Sequence, residues 1–164
     1  MTRAQFEAAF GSVYEHSPWV AERAFEHVAQ PVTLGDVQAR LAQVVDAAGE
    51  AAQLALLRAH PDLAGRAAIA GELTDDSRAE QAGSGLDSLS AAEFETFARL
   101  NDAYTTKFGF PFIMAVKGAT KHQILAGFEA RLPNARDTEF ATALAQVHRI
   151  AGFRLAAWFE ENSA

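Results

Sequence analysis

Apolar residues recur three and four positions apart along most of this chain, without long runs of β-branched residues. Because residues about 3.6 apart share one face of an α-helix, this spacing predicts helices throughout. The chain has 164 residues, 49% of them hydrophobic and 21% charged, which is an ordinary balance for a globular domain. We therefore expect an all-α fold of roughly eight helices, forming a single domain over residues 1–164.

Prolines, glycines and capping residues indicate where the helices begin and end. The first helix is expected to run from Thr2 to Tyr14, and Ser17 with Pro18 is expected to begin the second. The other expected boundaries are breaks at Pro31, Gly49, Pro61, Gly109 and Pro133, caps at Ser77, Ser90 and Thr120, and a last helix from about Asp137 to Glu160. Residues 112–116 fit either a short strand or a buried helical turn.

Composition excludes several classes of protein. The chain has no cysteine, so it has no disulfide, thiolate nucleophile or thiolate metal site. Its net charge of −7 lacks the basic footprint of nucleic-acid binding. No apolar run approaches the ~20 residues that span a membrane. The charged N-terminus does not resemble a signal peptide, and the C-terminus is not a peroxisomal address. We expect a cytoplasmic protein.

Arg154 occupies an unusual position in the last predicted helix. At ~100° per residue, it lies in the middle of an apolar face formed by Phe140, Leu144, Val147, Ala151 and Trp158. A guanidinium cannot lose its charge, so a buried one requires a partner. The partner is an internal carboxylate, or Arg154 awaits a ligand carboxylate that its planar fork can bind. A third possibility is that the head group extends to the surface.

His60 precedes Pro61, which keeps its backbone out of the helical region. The imidazole therefore lies at a helix end, a position that suits either a catalytic histidine or a cationic helix cap. None of the five histidines forms an H-x-x-x-H pair, so no zinc site is expected.

Two further segments have a structural and a functional interpretation. Ser77 and Glu80 have the spacing of a capping box, and Glu80 is also a candidate for proton transfer near His60. The segment 109–114, Gly-Phe-Pro-Phe-Ile-Met, is either a packed connection or the wall of a pocket whose backbone N–H groups face a planar ligand.

Five motifs occur in a fixed order along the chain. They are Tyr14-Glu15-His16-Ser17-Pro18-Trp19, His60-Pro61-Asp62-Leu63-Ala64, Ser77-x-x-Glu80-Gln81, Lys107-Phe108-Gly109-Phe110-Pro111-Phe112-Ile113 and His148-Arg149-Ile150-Ala151-x-x-Arg154-Leu155. Together they resemble one known family, the 2-oxo-4-hydroxy-4-carboxy-5-ureidoimidazoline (OHCU) decarboxylases, and the resemblance extends from about Phe6 to Trp158.

The resemblance implies an all-helical carboxy-lyase that needs no cofactor or metal, acts on a small ureide in urate degradation, forms (S)-allantoin and is usually a homodimer. It implies that His60 is a proton donor and Glu80 a functional carboxylate. The substrate-binding residues it implies are Pro61, Ser77, Arg78, Ala79, Glu80, Gln81, Phe110, Pro111, Phe112, Ile113, Met114 and Arg154.

Two alternatives remain beside this hypothesis. One is a non-catalytic helical module that binds a ligand or a partner on the same fold. The other is a metal-dependent hydrolase that uses His60 and Asp62, whose activity would be sensitive to chelators.

Overall fold

The computed structural model describes residues 1–163, together with all their side chains except those of Arg66 and Ala67. The part of the chain so described contains helices and no strand, which confirms the expected all-α class. The α-helices are α1 (Arg3–Phe10), α2 (Trp19–Ala24), α3 (Leu34–Ala47), α4 (Glu50–Arg58), α5 (Arg66–Ile69), α6 (Asp75–Gly83), α7 (Ala91–Phe108), α8 (Lys121–Arg131) and α9 (Arg136–Glu161), with a 3-10 turn at Phe25–His27.

Local capping residues begin several of these helices as predicted. The Ser90 side chain accepts a hydrogen bond from the Glu93 amide at the start of α7, and Glu93 accepts one from the Ser90 amide in return. Thr120 and Gln123 form the same reciprocal pair before α8. Gly109 ends α7 in the left-handed conformation, with φ of 80°.

Three local expectations outside the segment 77–81 were wrong. The first helix ends at Phe10 instead of Tyr14, since the following connection buries the Tyr14 side chain. Ser17 does not cap α2, because its hydroxyl donates instead to the carbonyl of Glu15. Residues 112–116 form neither a strand nor a helical turn. The carbonyl of Ile113 and the amide of Ala115 are bound by side chains, those of Arg131 and Gln146, instead of by other backbone groups.

The chain divides into two compact units. The first unit comprises residues 1–59 and the residues from Val147 onward, and the second comprises His60–Gln146. The core of the first is built on buried side chains of α1, α3 and α4, among them Phe6, Phe10, Leu41, Val45, Leu56 and Leu57. The core of the second is aromatic, with Phe97, Tyr104, Phe108, Phe110, Phe112 and Phe128 all buried. Among the described residues, no helix has both the length and the apolar character needed to cross a membrane.

Candidate active site

The second unit contains most of the residues predicted for the site. His60 and Pro61, the segment 77–81 and the segment 110–114 all belong to it, whereas Arg154 belongs to the first unit.

His60 lies just beyond α4, which ends at Arg58 as the following proline predicts. Its side chain and backbone are only 9% exposed. The chain then turns sharply, and Ala64 has a φ of 54°, which is rare for a residue with a side chain. The Asn101 side chain of α7 donates to the carbonyl of Leu63 at 2.9 Å. His60 is thus held at the start of a tightly constrained loop.

Gln81 connects α6 to the loop that follows His60. Its Oε1 accepts a hydrogen bond from the amide of Ala64 at 3.0 Å, and its Nε2 donates to the carbonyl of Asp62 at 3.4 Å. Gln81 is only 5% exposed, and its bond to Ala64 is buried and so shielded from water. The structure therefore brings together two of the predicted segments, one with His60 and the other with Gln81.

The segment 77–81 differs from prediction at its first residue. Thr74, not Ser77, is the N-cap of α6, and its hydroxyl accepts from the Ser77 amide at 3.2 Å. The helix begins one turn earlier because Thr74 adopts an extended backbone and Asp75 and Asp76 then occupy the first turn, where acidic side chains are favourable. Ser77 is consequently buried within the helix at 5% exposure.

The remaining side chains of α6 have different exposures. Glu80 is half-buried, whereas Arg78 and Ala79 are exposed. Arg78 donates to the carbonyls of Gly71 and Leu73 in the preceding loop. Arg78 and Gln81 also line a cavity of about 480 Å³, which Leu86 and Phe94 help to enclose.

The segment 110–114 is largely buried, and side chains of α8 and α9 bind the backbone around it. Arg131 Nη1 donates to the carbonyl of Ile113 at 2.6 Å, and the amide of Ala115 donates to Gln146 Oε1 at 2.9 Å. The Phe112 ring stacks on Phe128 with centroids 3.8 Å apart. This irregular segment is therefore fixed at both its polar and its apolar groups.

Glu139 is an ionised carboxylate at full burial, with 0% exposure. Burial by itself raises the pKa of this carboxyl, but hydrogen bonds from Asn134, Tyr104 and Arg131, together with the Arg131 charge, hold it below its ordinary value. Tyr104 donates to Oε1 at 2.6 Å, and Arg131 Nε donates to the same oxygen at 2.8 Å. Burial, and secondly the bond to Glu139, raise the pKa of the Tyr104 hydroxyl.

Arg154, in the first unit, forms the internal ion pair that the sequence allowed. Its Nη2 lies 2.9 Å from Glu15 Oε2, and the two side chains are 7% and 1% exposed. Its Nη1 donates to the carbonyl of Val13 at 3.3 Å. The carboxylate partner of Arg154 is thus identified, and binding of substrate by Arg154 stays a prediction.

A second polar connection joins the same loop to α9. The Tyr14 hydroxyl lies 2.8 Å from His148 Nδ1, and His148 Nε2 lies 2.9 Å from Asp46 Oδ1. Burial, and secondly the Asp46 charge, raise the pKa of Tyr14. Tyr14 and Glu15 therefore both attach the connection between α1 and α2 to the last helix.

Sequence reasoning missed the partners in these networks. The sequence motifs include Glu15 without assigning it a partner, and they do not include Arg131, Glu139 or Gln146. Glu139 lies one position before Phe140 on α9. The buried residues Ala143, Val147, Ala151 and Leu155 follow it at intervals of four, and this spacing is the sequence signal that places Glu139 on the buried face of the helix. Within the described residues, no group of three or more histidine, aspartate or glutamate side chains is placed to hold a metal ion.

The amino-acid sequence of this chain is similar to one protein family along almost its whole length. A family model described as OHCU decarboxylase matches residues 1–156. The 2-oxo-4-hydroxy-4-carboxy-5-ureidoimidazoline decarboxylase of Haloferax volcanii is 49% identical over 158 residues, which cover 96% of this chain and 90% of that protein. The uric acid degradation bifunctional protein of Bacillus subtilis is 44% identical over 147 residues, covering 89% of this chain and 28% of that protein.

A solved structure is similar in both fold and sequence. The crystal structure of (S)-allantoin synthase superposes with a TM-score of 0.77 at 35% identity, covering 96% of this chain and 51% of that chain.

Proposed function

Since this chain belongs to the OHCU decarboxylase family, we propose that it is a carboxy-lyase that converts 2-oxo-4-hydroxy-4-carboxy-5-ureidoimidazoline to (S)-allantoin and carbon dioxide. The match to the family over residues 1–156 is the observation on which this proposal chiefly rests. The name of the structural neighbour, (S)-allantoin synthase, supports the choice of product.

The proposed reaction uses the substrate itself as the electron acceptor. Its ring carbon 4 bears the hydroxyl and the carboxylate, and the neighbouring carbon 5 bears the ureido group and a double bond to ring nitrogen. When the bond to the carboxylate breaks, its electron pair forms a double bond between carbons 4 and 5, and the former imine nitrogen takes a proton. A proton then adds to carbon 5 while the hydroxyl loses its own and becomes a carbonyl. The net reaction consumes one proton.

The protein's part in this reaction is to orient the substrate and deliver that proton to one face. We assign the proton donor to His60, since an imidazole exchanges protons near neutral pH and this one is buried at the start of a constrained loop. Delivery from one side only would give carbon 5 a single configuration, and the product would then be one enantiomer of allantoin.

Glu80 and Arg154 are proposed to hold polar groups of the substrate. Two observations support this role for Glu80: its side chain is half-buried, and it is the neighbour in sequence of Gln81, which binds the loop after His60. Arg154 offers a planar donor fork that suits a carboxylate or the carbonyl oxygens of a ureide. The proposed substrate-binding set is completed by Pro61, Ser77, Arg78, Ala79, Gln81 and the segment 110–114.

The experiment that tests the function follows product chirality by circular dichroism. Fresh substrate is generated from urate by the oxidising and hydrolysing enzymes that precede this step, and the protein is then added. Without an enzyme the substrate decays to racemic allantoin, so fast accumulation of one enantiomer is the expected result. Decay to racemate at the uncatalysed rate, in the presence of folded protein, would instead favour a non-catalytic ligand-binding module.

The role of His60 has its own test in the same assay. We expect His60→Ala to retain the helical spectrum of the wild type and to lose about 100-fold or more in kcat, which is the usual contribution of a positioned general acid. A fully active, folded His60→Ala protein would exclude His60 as the proton donor.

We also propose that the protein acts as a cytoplasmic homodimer, as the family resemblance implies. Sedimentation velocity of the purified chain tests the assembly, with a monomer at assay concentrations as the contrary result.

A further inference from the structure

The substrate-binding segment proposed above has no regular secondary structure to hold it. Residues 111–116 lie between Gly109, which ends α7, and the turn before α8. A segment of this kind keeps a defined conformation only if other groups bind its backbone. Two side chains do so here: Arg131 binds the carbonyl of Ile113, and Gln146 binds the amide of Ala115.

Arg131 is itself fixed by several groups at once. Its Nε donates to Glu139 at 2.8 Å, its Nη2 lies 3.4 Å from the Tyr104 hydroxyl, and its guanidinium lies 4.4 Å from the centre of the Phe112 ring. Glu139 in turn accepts from Asn134 at 3.0 Å. All three nitrogens of the guanidinium therefore have a partner, and its planar geometry fixes the direction in which Nη1 binds Ile113.

Stability alone does not explain a charged group in this position. Burying an arginine and a glutamate removes both from water, and apolar side chains of similar volume often stabilise a fold as well or better. An apolar replacement, however, could not bind the carbonyl of Ile113 in a set direction. The network therefore provides geometric definition of the segment, which is what a binding site built on a loop requires.

We propose that Arg131 and Gln146 are positioning residues, which hold residues 111–116 in the conformation that binds substrate, with Glu139 orienting Arg131. This inference rests on the proposed function, in which Phe110 to Met114 contact the substrate. Neither Arg131 nor Gln146 touches the reacting atoms in this scheme. Their effect on turnover comes from preorganising the segment, so that the substrate does not have to order it on binding.

The sharpest test compares two substitutions of Gln146. Gln146→Met removes the acceptor for the Ala115 amide at similar volume, whereas Gln146→Glu keeps an acceptor oxygen. For Gln146→Met we expect faster hydrogen exchange in residues 111–116 and about a tenfold fall in kcat/KM, chiefly through a higher KM. Gln146→Glu should restore most of both properties.

A second variant and a control accompany that pair. Arg131→Lys keeps the charge but cannot bind both Glu139 and the Ile113 carbonyl with one planar group, so we expect it to behave like Gln146→Met. Lys121→Met breaks the 2.7 Å ion pair with Glu93 in the same unit. Because Lys121 has no role in holding residues 111–116, its substitution should leave kcat/KM and exchange in that segment unchanged.

The outcomes separate this inference from the proposed function. If the wild type forms (S)-allantoin and Gln146→Met or Arg131→Lys exchanges faster in residues 111–116 with full kcat/KM, the anchors are structural only and the inference is overturned. If neither variant changes exchange in the segment, these side chains do not position it, and the inference also fails. A wild type that does not turn over the substrate would refute the proposed function itself.

Discussion

At the scale of single residues, Arg154 forms a buried ion pair with Glu15 and is also proposed to bind substrate. Both side chains are more than nine-tenths buried, so removing either partner leaves an uncompensated group. We expect Arg154→Met alone to lower the free energy of unfolding by about 3–5 kcal/mol, as breaking a buried pair usually does. The double variant Arg154→Met with Glu15→Leu should be more stable than that single variant, because no charge remains buried. Urea denaturation followed by circular dichroism measures both.

The same double variant separates structure from substrate binding. If Arg154 binds substrate, the double variant will be folded but will have a strongly raised KM for the decarboxylation. A folded double variant with the kinetic constants of the wild type would show that Arg154 is only a structural partner of Glu15.

Arg154 also illustrates what a sequence can predict at this scale. Its place on an apolar helical face required a partner, and that inference depended only on helical periodicity. Which carboxylate would be the partner depended on how the connection after α1 packs, and Glu15 is far from Arg154 along the chain. Glu139 was missed for a related reason, since a glutamate next to the apolar face is ordinarily assigned to the solvent side.

At the scale of elements, the N-cap Thr74 sets where α6 begins, and so sets the position of residues 77–81 within the helix. Thr74→Ala removes the side-chain acceptor for the Ser77 amide and should lower the free energy of unfolding by about 1 kcal/mol. Thr74→Ser keeps the hydroxyl and serves as the matched control. The midpoint of urea unfolding distinguishes them, and equal midpoints for Thr74→Ala and the wild type would contradict this assignment of the cap.

The helix boundaries show which local patterns determine structure unaided. Ser90 and Thr120 were predicted correctly because each has its Glu or Gln partner three residues later and no rival cap nearby. Ser77 has the same pattern with Glu80, but Thr74 provides an equivalent hydroxyl one turn earlier. The choice between two acceptable caps is made by the packing of the helix, which buries Ser77. The conformation of residues 112–116 likewise depends on contacts with α8 and α9, which periodicity does not encode.

The cap of α7 makes a prediction about acid conditions. The hydrogen bond from Lys121, followed by that from the Ser90 amide, lowers the pKa of Glu93 from 4.5 to about 2. A carboxyl whose pKa is lower in the folded state stabilises the fold above its unfolded pKa and loses that effect as the pH falls. We expect Lys121→Met to weaken the fall in urea midpoint between about pH 5 and pH 2, and an unaltered acid dependence would contradict this.

At the scale of the whole molecule, buried titratable groups define a window of pH in which the fold is most stable. Glu139, whose pKa is lowered, contributes stability that is present at neutral pH and is lost as the pH falls below its ordinary 4.5. Tyr14 and Tyr104, whose pKa values are raised above 10.0, contribute stability that is present below that pH and is lost as the pH rises further. The urea midpoint should therefore be highest between these limits and fall on both sides.

A single substitution should change both sides of this window, because Tyr104 and Glu139 share a 2.6 Å hydrogen bond. Tyr104→Phe removes one titrating group, so the alkaline fall in the urea midpoint becomes shallower. It also removes a donor to Glu139, so the pKa of that carboxyl in the folded state rises toward its unfolded value and the acid fall in the urea midpoint becomes shallower. Tyr14→Phe is the matched control, since Tyr14 contacts His148 instead, and it should flatten only the alkaline side. If Tyr104→Phe left the acid side as in the wild type, the Tyr104 hydroxyl would not be what keeps Glu139 ionised.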